Sequence, residues 1–173
     1  MDSKVKIQFT PQKNDYVHAS RTLAGKSKGF LVLAAIVVLI MLAAAVLLIF
    51  PTIGDDALNN IALIVLLFGG FYVVYYLVFI PFQLSSAYKK NEYLQKDREF
   101  TITESQILMR IGDRSVELDW DGVQKLIDGR RLYLINYKGE ERVYPFVPKR
   151  AFEDQTTEDA FVQLFKEKSI PVG

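Results

Sequence analysis

A chain of 173 residues without cysteine carries no disulfide and no thiolate metal site. Its net charge of +1 hides unlike segments: residues 1–29 hold six Lys or Arg against two acids, whereas the stretch from Glu99 onward holds eleven against fourteen, which excludes broad nucleic-acid adhesion. Once two apolar runs are set aside, about ninety residues follow them, enough for one small folded domain and not two.

In chain order, Val5, Ile7 and Phe9 alternate with Lys4, Lys6 and Gln8, the period of a short strand with one buried face. Thr10 before Pro11 reads as a helix start, followed at helical spacing by Tyr16, Ser20 and Leu23, with Lys13, Arg21 and Lys26 around them. Two placements stay open for this helix: on the inner leaflet, as an amphipathic lead-in, or packed on the folded domain. Gly25-Lys26-Ser27 fails as a phosphate-cradling loop, because Ser20 stands where the first glycine is needed.

Residues 30–82 set the plan. Phe30 to Phe50 contains no charged residue, glycine or proline, and fifteen of its residues are Leu, Ile, Val or Phe. As a helix it spans ~31 Å, matching a hydrocarbon core of ~30 Å, with an insertion gain on the order of −5 to −9 kcal/mol. A short polar stretch, residues 51–60, leads to a second run, Ile61 to Phe82, which also lacks any ionisable acid or base. Two crossings with basic flanks place both termini in the cytoplasm and Asp55 and Asp56 outside. Cleavage of the first run as a signal peptide is disfavoured by its length, its late start and the second run behind it. Antiparallel crossings set Ala43, Ala44 and Ala45 near the depth of Gly69 and Gly70, an expected close contact of small residues. With no ionisable group in either run, a proton or ion path has no relay. Tyr72 is expected to bond a neighbouring carbonyl.

Residues 83–97 read as a connector, and the pattern then turns to alternation. Glu99–Ile102, Gln106–Ile111, Ser115–Asp119, Val123–Ile127, Leu132–Tyr137 and Arg142–Val147 are strand candidates, with Gly112-Asp113, Asp128-Gly129 and Lys138-Gly139 as turns. Pro145 marks a strand end or a sheet edge. Thr156 with Asp159 suggests a capping box ahead of an apolar stripe, Ala160, Phe161, Leu164 and Phe165, that closes the sheet. The expected architecture is a membrane α-helical hairpin plus a small antiparallel β domain of about six strands over residues 98–173, closed by a C-terminal α-helix.

Phe100-Thr101-Ile102-Thr103-Glu104, Trp120-Asp121-Gly122-Val123-Gln124-Lys125, Leu132-Tyr133-Leu134 and Val147-Pro148-Lys149-Arg150-Ala151-Phe152 resemble the YcxB-like domain in content and order. The resemblance covers roughly residues 100–165 and marks Phe100, Trp120, Lys125, Pro148, Lys149, Arg150 and Phe152 as its motif positions. It implies two transmembrane segments ahead of a pleckstrin-homology-like (PH-like) β domain, and no established biochemical activity.

His18 is the sole histidine, so Ser-His pairs and two-histidine zinc sites are out, and neither catalytic nor cofactor-binding residues are expected. Asp119 and Asp121 have the spacing of a weak cation site, but read better as the solvated side of a strand whose Trp120 points inward. Lys125, Arg130, Arg131, Lys149 and Arg150 form the candidate binding patch, able to meet anionic head groups at about 1 kcal/mol per base. The expected function is a non-enzymatic integral protein of the plasma (inner) membrane displaying a binding or scaffolding module in the cytoplasm, with the lipid bilayer and an unidentified protein as partners and self-association open. The alternative makes the hairpin the active part, as an immunity factor or an oligomeric channel component.

Overall fold

The computed structural model describes residues 4–50, 56–138 and 145–173, and divides them into two units: residues 23–84, and a second unit that joins residues up to 22 with residues 85–173. The expected boundaries at 29/30 and 97/98 therefore move, because the N-terminal strand and helix belong with the β region. Residues 51–55, position 139 of the expected Lys138-Gly139 turn, and residues 142–144 of the expected last strand lie outside the described residues.

Helix α1 is Lys13–Lys26, and α2, Lys28–Ile49, is the first apolar helix. The second begins earlier than the sequence suggests, at Asp56, and runs to Lys90 as α3 (Asp56–Val74), a π-helical turn (Tyr75–Phe79) and α4 (Ile80–Lys90). Proline accounts for the wide turn. Pro81 offers no N–H to the carbonyl four residues back and its ring crowds that carbonyl, a strain that an i→i−5 turn relieves, and Ile80 N–H bonds the Tyr75 carbonyl. Among the described residues two helices are thus long and apolar enough to cross a membrane, and their apolar side chains stay uncovered, Phe68 at 72% and Phe82 at 70% exposed. Surface of that kind suits hydrocarbon rather than water.

Within the hairpin the close approach is narrower than expected. Gly69 lies against Met41, whose Sδ sits 2.6 Å from where a Cβ would stand, but Gly70 has open space there. Ala44 is buried, Ala45 half-buried and Ala43 exposed. A helix offers one face to its neighbour, so consecutive residues cannot all meet it.

Among the described residues the other unit holds seven strands in two antiparallel sheets, where about six strands were expected for the β domain. In the first, β1 (Val5–Phe9), β2 (Arg98–Ile102), β3 (Ile107–Ile111) and β4 (Arg114–Leu118) lie side by side in chain order. The register stacks one inward row as Ile7, Phe100, Met109 and Val116, and another as Val5, Ile102, Ile107 and Leu118. Gly112 at φ +55° makes the two-residue β3–β4 turn, where a positive φ at the first central position favours glycine. A short helix, α5 (Glu92–Gln95), precedes β2.

The second sheet is β5 (Val123–Asp128), β6 (Leu132–Tyr137) and β7 (Phe146–Pro148). Ile135 N–H donates to the Pro145 carbonyl, so Pro145 sits just ahead of β7 with its missing donor outside the strand. Asp119 and Trp120 are not in a strand: Trp120–Gly122 is a 3₁₀ turn, and the indole donates to the Thr103 carbonyl while resting edge-on against Phe165.

Helix α6 (Gln155–Glu167) is capped two residues before the expected Thr156, by Asp154 accepting from Thr157 N–H. Phe161, Leu164 and Phe165 are buried, Phe161 against the Tyr133 and Phe152 rings and Phe165 against Trp120, whereas Ala160 is exposed. Each such buried ring or leucine is worth roughly 1.5–3 kcal/mol. The helix ends in a Schellman motif whose left-handed residue is Ser169 (φ 59°), with Ile170 N–H reaching the Phe165 carbonyl. The tail then bridges β5: Leu126 N–H donates to the Pro171 carbonyl and Gly173 N–H to the Leu126 carbonyl.

Candidate anion-binding groove

Four of the five basic residues singled out in the sequence come together, and they do so where α1 passes the β5–β6 hairpin. Arg130 and Arg131 are the exposed apex of that hairpin, closed by Gly129 N–H donating to the Leu132 carbonyl at 3.0 Å. Gly129 is what lets α1 approach: a Cβ there would stand 2.9 Å from Thr22 Oγ1 and 2.8 Å from the Leu132 carbonyl oxygen. The 3₁₀ turn Lys149–Ala151 is tied to the same apex by Lys149 N–H donating to the Arg131 carbonyl at 2.9 Å.

Asp15 organises the α1 side. Buried at 6% exposure, it takes a two-pronged bond from Arg150, 2.8 Å to each oxygen, and it accepts from Gln12 N–H at 2.7 Å. The second bond is half of a capping box, returned from the third helical residue to the cap. Arg150 also donates to the Thr10 carbonyl at 3.2 Å. The one carboxylate of the groove is therefore committed, and it holds Arg150 in place. Lys149 is committed as well, 2.7 Å from Asp128 and 3.9 Å from Glu158, with its ammonium 4.6 Å above the Tyr133 ring. Burial, then the bond the Tyr133 hydroxyl donates to Glu158, hold that phenol well above its ordinary range.

What remains uncommitted is cationic. No carboxylate among the described residues pairs with Arg21, Arg130 or Arg131. Arg131 Nη1 lies 3.1 Å from His18 Nε2, and because a guanidinium only donates, Nε2 accepts and the imidazole is neutral. Burial, then Arg131 and Arg21, push the histidine below its ordinary 6.5. The open depression these side chains form measures about 330 Å³ and is lined by Gln12, His18 and the four basic residues among others. A second depression of about 300 Å³ shares His18, Arg130 and Arg131 with it and adds Arg21 and Thr22. These volumes lie at the lower end of the range for small-ligand sites.

Lys125 does not join. It lies on β5 opposite Asn136, just past an irregularity in register after Val123, and it is absent from the groove lining. The other motif residues are structural: Phe100 is fully buried, Pro148 is buried in β7, and Phe152 sits edge-on to Tyr133 and Phe161. Sequence reasoning missed His18 and Arg21 as groove residues, and Asp15 as the holder of Arg150. Asp15, His18, Arg21 and Thr22 fall at i, i+3, i+6 and i+7, positions that share one broad side of a helix. Among the described residues, no group of three or more His, Cys, Asp or Glu is arranged to hold a metal ion.

Compared with models of protein families, with curated proteins and with solved structures, the chain has no match.

Proposed function

We propose that the chain is a non-enzymatic two-pass protein of the plasma (inner) membrane, with both termini cytoplasmic, whose PH-like unit binds an anionic group in the groove beside α1. One observation carries this: among the described residues Arg21, Arg130 and Arg131 converge with no carboxylate to neutralise them, while the one acid lining the groove is spent on Arg150. Uncompensated guanidiniums grouped around a cavity repel one another, and an anion relieves that repulsion. Two antiparallel sheets with a C-terminal helix support the PH-like reading, and the basic flanks of the apolar helices support the orientation. Strand addition at Leu126 of β5 is disfavoured, because the chain's own tail already bonds there.

The test uses the full chain in neutral phosphatidylcholine nanodiscs, titrated with sulfate, phosphate and an acidic peptide. At least one should bind, less tightly as salt rises, and the Arg130→Glu/Arg131→Glu variant should lose that binding. Failure of all three anions overturns the reading. Orientation is read separately, since the cysteine-free chain allows single cysteines to be placed at positions 4 and 173 and labelled from either side.

A further inference from the structure

We propose that the groove is a site for a phosphomonoester dianion, gripped by Arg21, Arg130 and Arg131, and that His18 takes up a proton when the anion binds. This rests on the anion-binding reading above and specifies the ligand's chemistry.

The charge count favours a phosphomonoester over a carboxylate. A carboxylate satisfies one guanidinium fork and one charge, leaving the other two arginines unrelieved. A phosphomonoester carries about −1.5 to −2 charges at neutral pH and presents three acceptor oxygens, which suits three forks. Lys149 and Arg150 do not compete for it, held as they are by Asp128 and Asp15 at 2.7 and 2.8 Å. They form the charged wall of the site, and Asp15 and Gln12 fix that wall to the start of α1.

The proton linkage follows from what faces His18. From α1 it meets Asp15 and Arg21, from the hairpin apex Arg130 and Arg131, and from the 3₁₀ turn Lys149 and Arg150 share its cavity. Five cations and one already-paired carboxylate disfavour an imidazolium, and the Arg131 N–H occupies the lone pair on Nε2. A dianion reverses both conditions. It draws the guanidiniums to its own oxygens, frees Nε2, and supplies the negative charge that an imidazolium needs. Binding the anion and binding the proton therefore favour one another, as linkage requires.

Because His18 is the sole histidine, its ring resonances report this event without assignment ambiguity. The full chain in phosphatidylcholine nanodiscs is titrated from pH 5 to 8 alone, with phenyl phosphate, and with phenyl sulfate, which has the same shape but a single charge. Expected are binding of phenyl phosphate at least ~10-fold tighter than of phenyl sulfate at pH 7.5, and a rise of about one unit in the His18 midpoint at saturation. Arg130→Ala/Arg131→Ala should abolish both effects, with the fold checked by the fluorescence of the sole tryptophan, Trp120. His18→Gln should bind phenyl phosphate without proton uptake. Nanodiscs doped with phosphatidic acid, against phosphatidylglycerol, identify the source: a midpoint that rises with the lipid alone supports a lipid phosphomonoester, and one that rises only with phenyl phosphate supports a soluble one. Equal affinity for sulfate and phosphate esters, or a His18 midpoint unmoved at saturation, overturns this inference while leaving anion binding intact. Absence of binding by every anion overturns both.

Discussion

Arg98 Nη2 donates to the Tyr16 hydroxyl at 2.7 Å, and among the described residues this bond is the sole hydrogen bond of a guanidinium that is 0% exposed. Its Nε and Nη1 have no partner, and no carboxylate is paired with it among the described residues. What stands in for a counter-charge is aromatic: the Phe146 ring lies 4.8 Å and the Tyr16 ring 5.6 Å from the guanidinium carbon. Tyr16 in turn donates to the Leu94 carbonyl, and its phenol is pushed up to about 12, chiefly by burial, with Arg98 pulling the other way.

A buried cation so poorly compensated costs stability. Arg98→Met, which keeps the length and drops the charge, is expected to unfold at equal or higher denaturant than the parent, whereas Tyr16→Phe is expected to lose about 1–3 kcal/mol by stranding the last guanidinium bond. Chemical denaturation in detergent, followed by Trp120 fluorescence, measures both. A marked destabilisation by Arg98→Met would show that the guanidinium is better satisfied than these bonds indicate.

Gly129→Val should force α1 away from the hairpin apex, since the added carbons collide with Thr22 and with a backbone oxygen that cannot rotate aside. The expected cost is about 1–3 kcal/mol, together with weaker anion binding. Unchanged stability and affinity would mean that α1 is not held at that apex.

Gly69 and Gly70 should respond differently to leucine. Gly69→Leu drives a side chain into Met41, while Gly70→Leu points into open space, so only the first should lower the thermal transition of the detergent-solubilised hairpin and increase its protease sensitivity. Equal effects would count against the contact.

Ser169→Gly is expected to stabilise by roughly 1 kcal/mol, because a left-handed backbone penalises any residue with a Cβ. Thermal unfolding of the full chain decides it, and no gain would place the strain elsewhere.

For His18, the folded chain depresses the midpoint below 6.5, so as pH falls the unfolded chain binds the proton first. The stability tied to the neutral imidazole is present above 6.5 and lost below it. The thermal transition should therefore fall between pH 7.5 and 5.5 by more in the parent than in His18→Gln, and added phenyl phosphate should shrink that difference.

The elements that follow from short-range periodicity were legible: the two apolar runs, the alternation of Val5 to Phe9 and of the strands after Glu99, and the stripe at Phe161, Leu164 and Phe165. What escaped depends on long-range register. Counting back by two from Ile102 and Phe100 places Arg98 in the inward row, but a strand read as starting at Glu99 hides it. The groove was half visible for a similar reason. Arg130, Arg131, Lys149 and Arg150 lie near turns, whereas His18 and Arg21 reach it only because β1 pairs with β2 and carries α1 along. No local pattern tells a helix which neighbour it will have.

The pairing of β1 with β2 also sets a timetable. Val5–Phe9 is synthesised first but must wait through both apolar helices for Arg98–Ile102 to appear. In a chain that threads its helices into the bilayer as it is made, β1 stays without its partner strand, and α1 without the hairpin apex it passes, until both apolar helices have been made. The proposed binding surface is thereby conditional on correct delivery: a copy stalled halfway would carry α1 but not yet the hairpin arginines it is to meet.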